Sequence, residues 1–252
     1  MISNNLGTKG VDPQSIDQKT GAIFQRFEAK YYLTEPVALA IRQYIAPYMV
    51  KDPHSISRPF YHVNSLYLDS PDLFTYSSSE YGEKNRYKLR IRSYSIEPSR
   101  PVYFEIKRRV DQVILKQRAC VHRECVVDLL RGRGFTPDVL LQPRSKEIAA
   151  LYHIRDMIER IQAEPKCMVC YEREAYMSAF EEPLRISFDR RLTCRPVRAY
   201  TEDLWDYRNH WKEVDAFDVL MELKFTDTLP LWAQEVVQRF DLTRRSSAKY
   251  VI

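Results

Sequence analysis

The segment KNRYKLRIR at 84–92 carries five cations, Lys84, Arg86, Lys88, Arg90 and Arg92, at intervals of two residues. A helix would scatter them around its circumference. A β-strand places all five on one face and Asn85, Tyr87, Leu89 and Ile91 on the other. The pattern recurs along the chain: Glu105, Lys107 and Arg109 alternate with Phe104 and Ile106. Further sets are Lys116 with Arg118, Arg26 with Glu28 and Lys30, Tyr171 with Arg173, Arg185 with Ser187 and Asp189, and Glu222 with Lys224, while Lys249 stands near the C-terminus. Such a chain is restricted to a sheet with one buried apolar face and one face rich in Lys and Arg.

Period-2 alternation or β-branched and aromatic enrichment predicts strands over 22–33, 60–68, 84–96, 102–110, 113–121, 167–180, 184–194 and 217–226. Helices are expected over 35–46, with Thr34 as N-cap and Pro36 in the first turn, and over 124–132. The longest helical pattern, 144–162, puts Leu151, Ile154, Ile158 and Ile161 on one face, and another helix opens at Pro230 with Trp232, Val236 and Phe240 inward. Ser70-Pro71-Asp72 reads as the cap and start of a short helix, which leaves Asp69 as a turn and cap residue. Consecutive strands with short connections indicate an α+β antiparallel sheet, closed or strongly curved, because a parallel fold would need a helix after nearly every strand. Residues 1–20 are polar and aperiodic and read as a flexible tail, so one domain is expected over 21–252. Cys167 and Cys170 form a C-x-x-C with no second pair, and core packing is the simpler account.

Polar faces of ordinary sheets mix Thr, Ser, Gln, Glu and Lys. Here Lys and Arg dominate, and like charges on adjacent strands repel. A polyanionic ligand gives that cluster a reason to exist. The chain has only six glycines and lacks a Rossmann or P-loop pattern, so phosphate must be held mainly by side chains. If helices cover the apolar faces, the charged faces point into a lumen, as in a barrel of about eight strands. Arg would clamp phosphate bidentately and Lys would act as a point charge, while the carboxylates suit a divalent metal. A net charge of +5, with cations in strands rather than along one helix or tail, argues against nucleic acid. No apolar run approaches the roughly 20 residues of a membrane helix. No secretory signal is visible, and five irregularly spaced cysteines favour a reducing compartment, so a cytoplasmic location is expected.

RFEAKY at 26–31 resembles the first-strand signature of the triphosphate tunnel metalloenzymes, the CYTH-like superfamily. Within it the chain is similar to the VTC domain, the polyphosphate polymerase module of the vacuolar transporter chaperone complex. The segments VNSLYLDSP (63–71), YKLRIRSY (87–94), YFEIKRR (103–109), LRISFDRRL (184–192), MELKF (221–225) and AKY (248–250) support this in order. The resemblance implies a closed eight-stranded antiparallel tunnel with helices packed outside, taking a nucleoside triphosphate. It implies that Lys30, Arg90, Arg92, Lys107, Arg173, Arg185 and Lys224 line the phosphate path, that Lys249 sits on a closing C-terminal element, and that Tyr171 accompanies Arg173. Arg86, Lys88, Lys116 and Arg118 are further phosphate-binding candidates. Glu222 resembles the main ligand for Mn²⁺ or Mg²⁺, with Glu28 and Glu105 as possible additions. Arg26 stands where the wider superfamily motif has its first glutamate, which argues against a two-carboxylate metal site on the first strand.

The expected activity is transfer of the ATP γ-phosphoryl group to phosphate, pyrophosphate or a growing polyphosphate chain. Hydrolysis of triphosphate in the same tunnel, and polyphosphate binding without catalysis, remain as alternatives that the residues do not separate.

Overall fold

The computed structural model describes residues 26–56, 58–111, 113–180, 184–206, 212–214, 217–245 and 249–250. The expected tail, 1–20, and residues 22–25 of the first expected strand lie outside the described residues. The strands are β1 (Arg26–Leu33), β2 (Met49–Lys51), β3 (Tyr61–Asp69), β4 (Asn85–Ser93), β5 (Val102–Val110), β6 (Val113–Val121), β7 (Glu164–Ser178), β8 (Arg185–Pro196), β9 (Lys212–Glu213) and β10 (Val219–Thr226). The helices are α1 (Glu35–Ile45), α2 (Phe74–Glu80), α3 (Val126–Leu130), α4 (Ser145–Ile161) and α5 (Leu231–Arg239).

All the strand pairings are antiparallel. Eight strands form one continuous path, β1-β10-β8-β7-β3-β4-β5-β6, with short β2 and β9 attached to β7 and β8. The expected closed eight-stranded barrel differs from this sheet in two respects. There are ten strands among the described residues, because β2 and β9 are too short to leave an alternating pattern in sequence. The path also ends at β1 and β6, which are not paired with each other among the described residues. The sheet nevertheless curls, since Lys107 Nζ of β5 donates to Glu28 Oε2 of β1 at 3.0 Å. Side chains rather than backbone bridge that side of the lumen.

Alternation places the apolar residues outward, under helices. Leu89, Ile91, Phe104 and Ile106 join Leu151, Ile154 and Ile158 of α4 in one core. Ile41 and Ile45 of α1 and Val236 of α5 pack with Ile186, Phe188 and Leu223 in another. A third cluster, including Val63, Tyr67, Val169, Tyr171 and Tyr250, draws on the inward-facing positions of β3 and β7. Trp205 is buried in the first core and Trp232 stacks on Tyr48, as packing residues do. No helix among the described residues is long and apolar enough to cross a membrane.

Helix boundaries follow local chemistry with some departures. Thr34 occupies the N-cap of α1, with Pro in the first turn, but its side chain makes no capping hydrogen bond. The expected helix over 124–132 is a 3₁₀ turn, Arg123–Cys125, followed by the short α3. Helix α2 starts at Phe74 rather than in the Ser70-Pro71-Asp72 turn, because two side chains reach forward to its orphan N–H groups. Ser70 Oγ accepts from Phe74 N at 2.9 Å. Asp69 accepts from the backbone N–H groups of Ser70, Thr75 and Tyr76, each at 2.8 Å, and from the Tyr250 hydroxyl at 2.9 Å. Asp69 thus caps the helix, as expected, and also ties it to the C-terminal segment. Asp69→Ala orphans four donors and should lower the unfolding free energy by roughly 2–3 kcal/mol, measured by denaturant titration.

Candidate functional site

The inward face of the sheet is a set of ion pairs arranged around four carboxylates. Strand register decides the first group. Arg90 of β4, Glu105 of β5 and Arg118 of β6 are direct cross-strand partners, so the carboxylate is flanked by two guanidinium groups. Arg90 Nη2 and Lys116 Nζ each approach Glu105 at 2.7 Å, and Arg118 and Arg92 lie 3.6 and 4.0 Å away. The Glu105 side chain is fully shielded from solvent. Burial alone would raise its pKa, but Arg90, Arg92 and Lys116 overcome that and hold the carboxyl well below the usual range.

The second group surrounds Glu222 and Asp189. Arg173 of β7 forks onto Asp189 of β8, with Nε and Nη2 each donating at 2.6 Å, and Nη2 also reaches Glu222 at 3.3 Å. Lys249 Nζ bridges the two acids at 2.6 Å from Asp189 and 2.7 Å from Glu222. Lys224 lies 3.0 Å and Lys30 3.7 Å from Glu222. The Tyr171 ring supports this group from below, 5.2 Å from the Arg173 guanidinium and 4.7 Å from Lys249 Nζ. Burial would push the Glu222 and Asp189 carboxyls up, yet the surrounding cations pull both below the ordinary range.

Glu28 joins Lys107 to the Glu222 group through Lys30. Lys30 lies 3.4 Å and Lys107 3.0 Å from it. Twelve of the thirteen cation and tyrosine candidates taken from sequence therefore face the lumen or its rim from their strands, but they do not form one cluster. Lys30, Lys224, Arg173 and Lys249 gather on Glu222, whereas Arg90, Arg92, Lys116 and Arg118 gather on Glu105. Arg185 stands apart, 2.9 Å from Asp52 and donating to the Tyr61 hydroxyl at 3.3 Å. Arg86 donates to the Glu83 carbonyl near the rim. Lys84 lies just before β4 and is exposed, so four rather than five cations of that run belong to the strand face.

From sequence alone, Asp189 can face the lumen or pair with Arg191 or a neighbour. It faces Arg173 and Lys249, and Arg191 pairs instead with Glu172 at 3.0 Å. The period-2 spacing Arg185, Ser187, Asp189 was the available signal. Asp52 and the aromatic group of His54, Tyr61, Tyr94 and Tyr103 at one mouth had no such signal, because they come from a 3₁₀ turn, a loop and strand ends.

No three Asp, Glu, His or Cys side chains among the described residues already converge as a metal site. The donor set still suits a hard divalent cation carried in by a triphosphate, since Mg²⁺ commonly takes only one or two carboxylates plus substrate oxygens. Glu222 and Glu28 fit that role: the Lys30 ammonium already lies within 3.7 and 3.4 Å of them. Glu105 sits instead among Arg90, Arg92, Lys116 and Arg118, away from Lys30.

Lys88 is the outlier. Burial, with Lys30, Lys107, Arg86 and Arg90 nearby, lowers its pKa to about 7. Above that value the ligand-free amine is mostly neutral, and an arriving anion favours the charged form. Triphosphate binding at pH 8 should therefore take up a proton, seen as a dependence of calorimetric binding enthalpy on buffer ionisation enthalpy. The uptake should fade as pH falls below about 7, and Lys88→Met should remove its largest part.

Comparison with solved structures places this architecture. An adenylate cyclase-like protein from Bacillus halodurans aligns over 89% of this chain and 94% of its own, at 13% identity and a TM-score of 0.50. A cyclase-like protein from Hippeastrum, described as having a dominant triphosphatase activity, covers 89% of this chain and 91% of its own at 10% identity, with a TM-score of 0.45. At 13% identity the likeness to the Bacillus halodurans protein bears on the fold alone. No curated protein is found as a sequence relative. The model of the VTC domain matches residues 25–252, which takes in every element that faces the lumen, and the chain belongs to the VTC domain family.

Proposed function

We propose that this chain is a polyphosphate polymerase that transfers the γ-phosphoryl group of ATP to phosphate, pyrophosphate or a growing polyphosphate chain, with Mn²⁺ or Mg²⁺ as cofactor. The observation that carries this reading is the lumen of a VTC domain, in which Arg and Lys from seven strands and the C-terminal segment converge on buried carboxylates. An acceptor phosphate is already anionic near neutral pH, so catalysis reduces to positioning and charge neutralisation.

Arg90, Arg92 and Lys107 would hold the donor phosphates, with Lys30, Lys116, Arg118 and Tyr171 lining the path. Arg173, Arg185, Lys224 and Lys249 would neutralise the transferred group. The acceptor oxygen forms a bond to the γ-phosphorus as the bridge to the β-phosphate breaks, and ADP leaves. A divalent cation held by Glu222, with Glu28 beside it, would polarise the triphosphate as a Lewis acid when bound. Phosphate oxygens replace carboxylate oxygens as partners of the lumen cations, so ligand binding exchanges one set of charge-assisted hydrogen bonds for another.

Incubation with ATP and Mn²⁺ should yield ADP and polyphosphate chains. Free phosphate without chains would identify a hydrolase, and tight binding without turnover would identify a polyphosphate-binding module. Triphosphate should also raise the melting temperature. At a hundredfold excess over Kd the stabilisation is about 2.7 kcal/mol, well beyond that of matched ionic strength. No shift at saturating triphosphate would sink the tunnel reading altogether.

A further inference from the structure

The charges of the lumen are unevenly matched along its length. At the Tyr61 mouth, Arg185 is paired with Asp52, and in the middle the cations are paired with Glu105, Asp189, Glu222 and Glu28. Towards the β5–β6 hairpin the pattern changes. Register places Lys88, Lys107 and Lys116 side by side across β4, β5 and β6, and the next inward row sets Arg86 directly opposite Arg109. Like charges in directly opposed positions destabilise a sheet. Lys107 and Lys116 are relieved by Glu28 and Glu105. Among the described residues, Lys88, Arg86 and Arg109 have no carboxylate within ion-pair distance: Lys88 lies over the Tyr250 ring, Arg86 donates to the Glu83 carbonyl, and Arg109 donates to the Asp111 carbonyl. Arg86 and Arg109 lie four residues beyond Arg90 and Glu105 along their strands, roughly 13 Å further out.

We infer that Lys88, Arg86 and Arg109 form a separate anion track that leads out of the lumen at the β5–β6 hairpin and takes the distal phosphates of a polyphosphate chain. This rests on the proposed handling of triphosphate in the lumen and adds a direction to it. A nucleotide held on the Glu105 and Glu222 groups reaches no further than Lys88, the inner end of the track, and leaves Arg86 and Arg109 uncovered, whereas a longer chain of phosphates covers them. Arg109, half-buried and on the same inward face as Lys107, is given a role here that the family resemblance did not imply.

The test is binding by calorimetry at fixed salt, with inorganic tripolyphosphate and with polyphosphate several times longer. Affinity for the longer chain should exceed that for tripolyphosphate by on the order of tenfold or more, since each charge-assisted contact is worth at least that factor. In Arg86→Gln/Arg109→Gln that advantage should collapse, so that the loss grows with chain length. Arg109→Lys should restore most of it. A parent protein with no preference for the longer chain would overturn the track, as would a double variant that loses both ligands by the same factor. Failure to bind either ligand would instead overturn the triphosphate reading itself. The parent's chain-length series decides the matter even if the double variant does not fold.

Discussion

Glu222→Ala is expected to abolish divalent-metal-dependent ATP turnover and, at the same time, to weaken the ligand-free protein by about 3–5 kcal/mol. Both effects follow from one carboxylate with four cationic partners. Lys249 at 2.7 Å, Lys224 at 3.0 Å, Arg173 at 3.3 Å and Lys30 at 3.7 Å would face one another with the central countercharge gone. Asp189 still holds Arg173 and Lys249, which limits the damage to part of the cluster. Triphosphate should rescue the variant's melting temperature by more than it raises the parent's, because the anion supplies the missing charge. The pH dependence has a definite sign. The folded carboxyl lies well below its ordinary value of 4.5, so its contribution is present above that value and is lost as pH falls through the folded pKa. The difference in stability between parent and Glu222→Ala should therefore narrow in acid. Turnover by Glu222→Ala at the parent's rate with Mn²⁺ would remove Glu222 from the site.

Glu105→Gln should separate countercharge from metal chemistry. The amide keeps the shape and buried position of Glu105 but removes the charge that Arg90, Lys116, Arg118 and Arg92 share. Apo stability is expected to fall by about 3 kcal/mol, as for other buried ion pairs broken on one side. Metal-dependent turnover should persist, in contrast to Glu222→Ala. Affinity for tripolyphosphate should rise, because Arg90 and Lys116 no longer have to leave a carboxylate to reach the ligand. A fall in affinity together with loss of metal dependence would show that Glu105 is a metal ligand, the role that its place on the strand face first suggested. Melting curves with and without tripolyphosphate, and ATP turnover across a Mn²⁺ titration, measure both outcomes.

Much of the candidate site's layout was legible because a strand has a two-residue period. Once Arg90 alternates with Leu89 and Ile91, the pleat fixes which side chains share a face. The same logic reached Lys107, Arg173, Arg185, Glu222 and Lys224. It could not reach closure of the sheet, since β1 and β6 have the composition of partners and yet, among the described residues, end the path without pairing with each other. Strand pairing across the gap depends on accumulated twist and stagger, which no local pattern encodes. Nor could it assign ion pairs. Asp189 had Arg191 two residues away on the same alternation, but register sets Asp189 opposite Arg173 of the next strand, and the left-handed backbone at Arg191, φ 48, takes that residue out of the pattern. Asp69 combines both cases. Its capping role was readable from the following turn, whereas its bond to Tyr250 joins residues 181 positions apart.

The sequence by itself determined the alternation, and with it an antiparallel sheet whose apolar face needs helices and whose other face concentrates Lys and Arg. It also carried the segments that mark a VTC domain. The tertiary structure decided how those charges are balanced. Strand register set Glu105 between Arg90 and Arg118, and curling of the sheet brought Lys107 to Glu28. Packing of the C-terminal segment into the lumen carried Lys249 to Asp189 and Glu222. The physical reason is range. Side-chain direction along a strand is fixed by neighbours one and two residues away, whereas a salt bridge is fixed by which distant strands the whole sheet brings within about 4 Å.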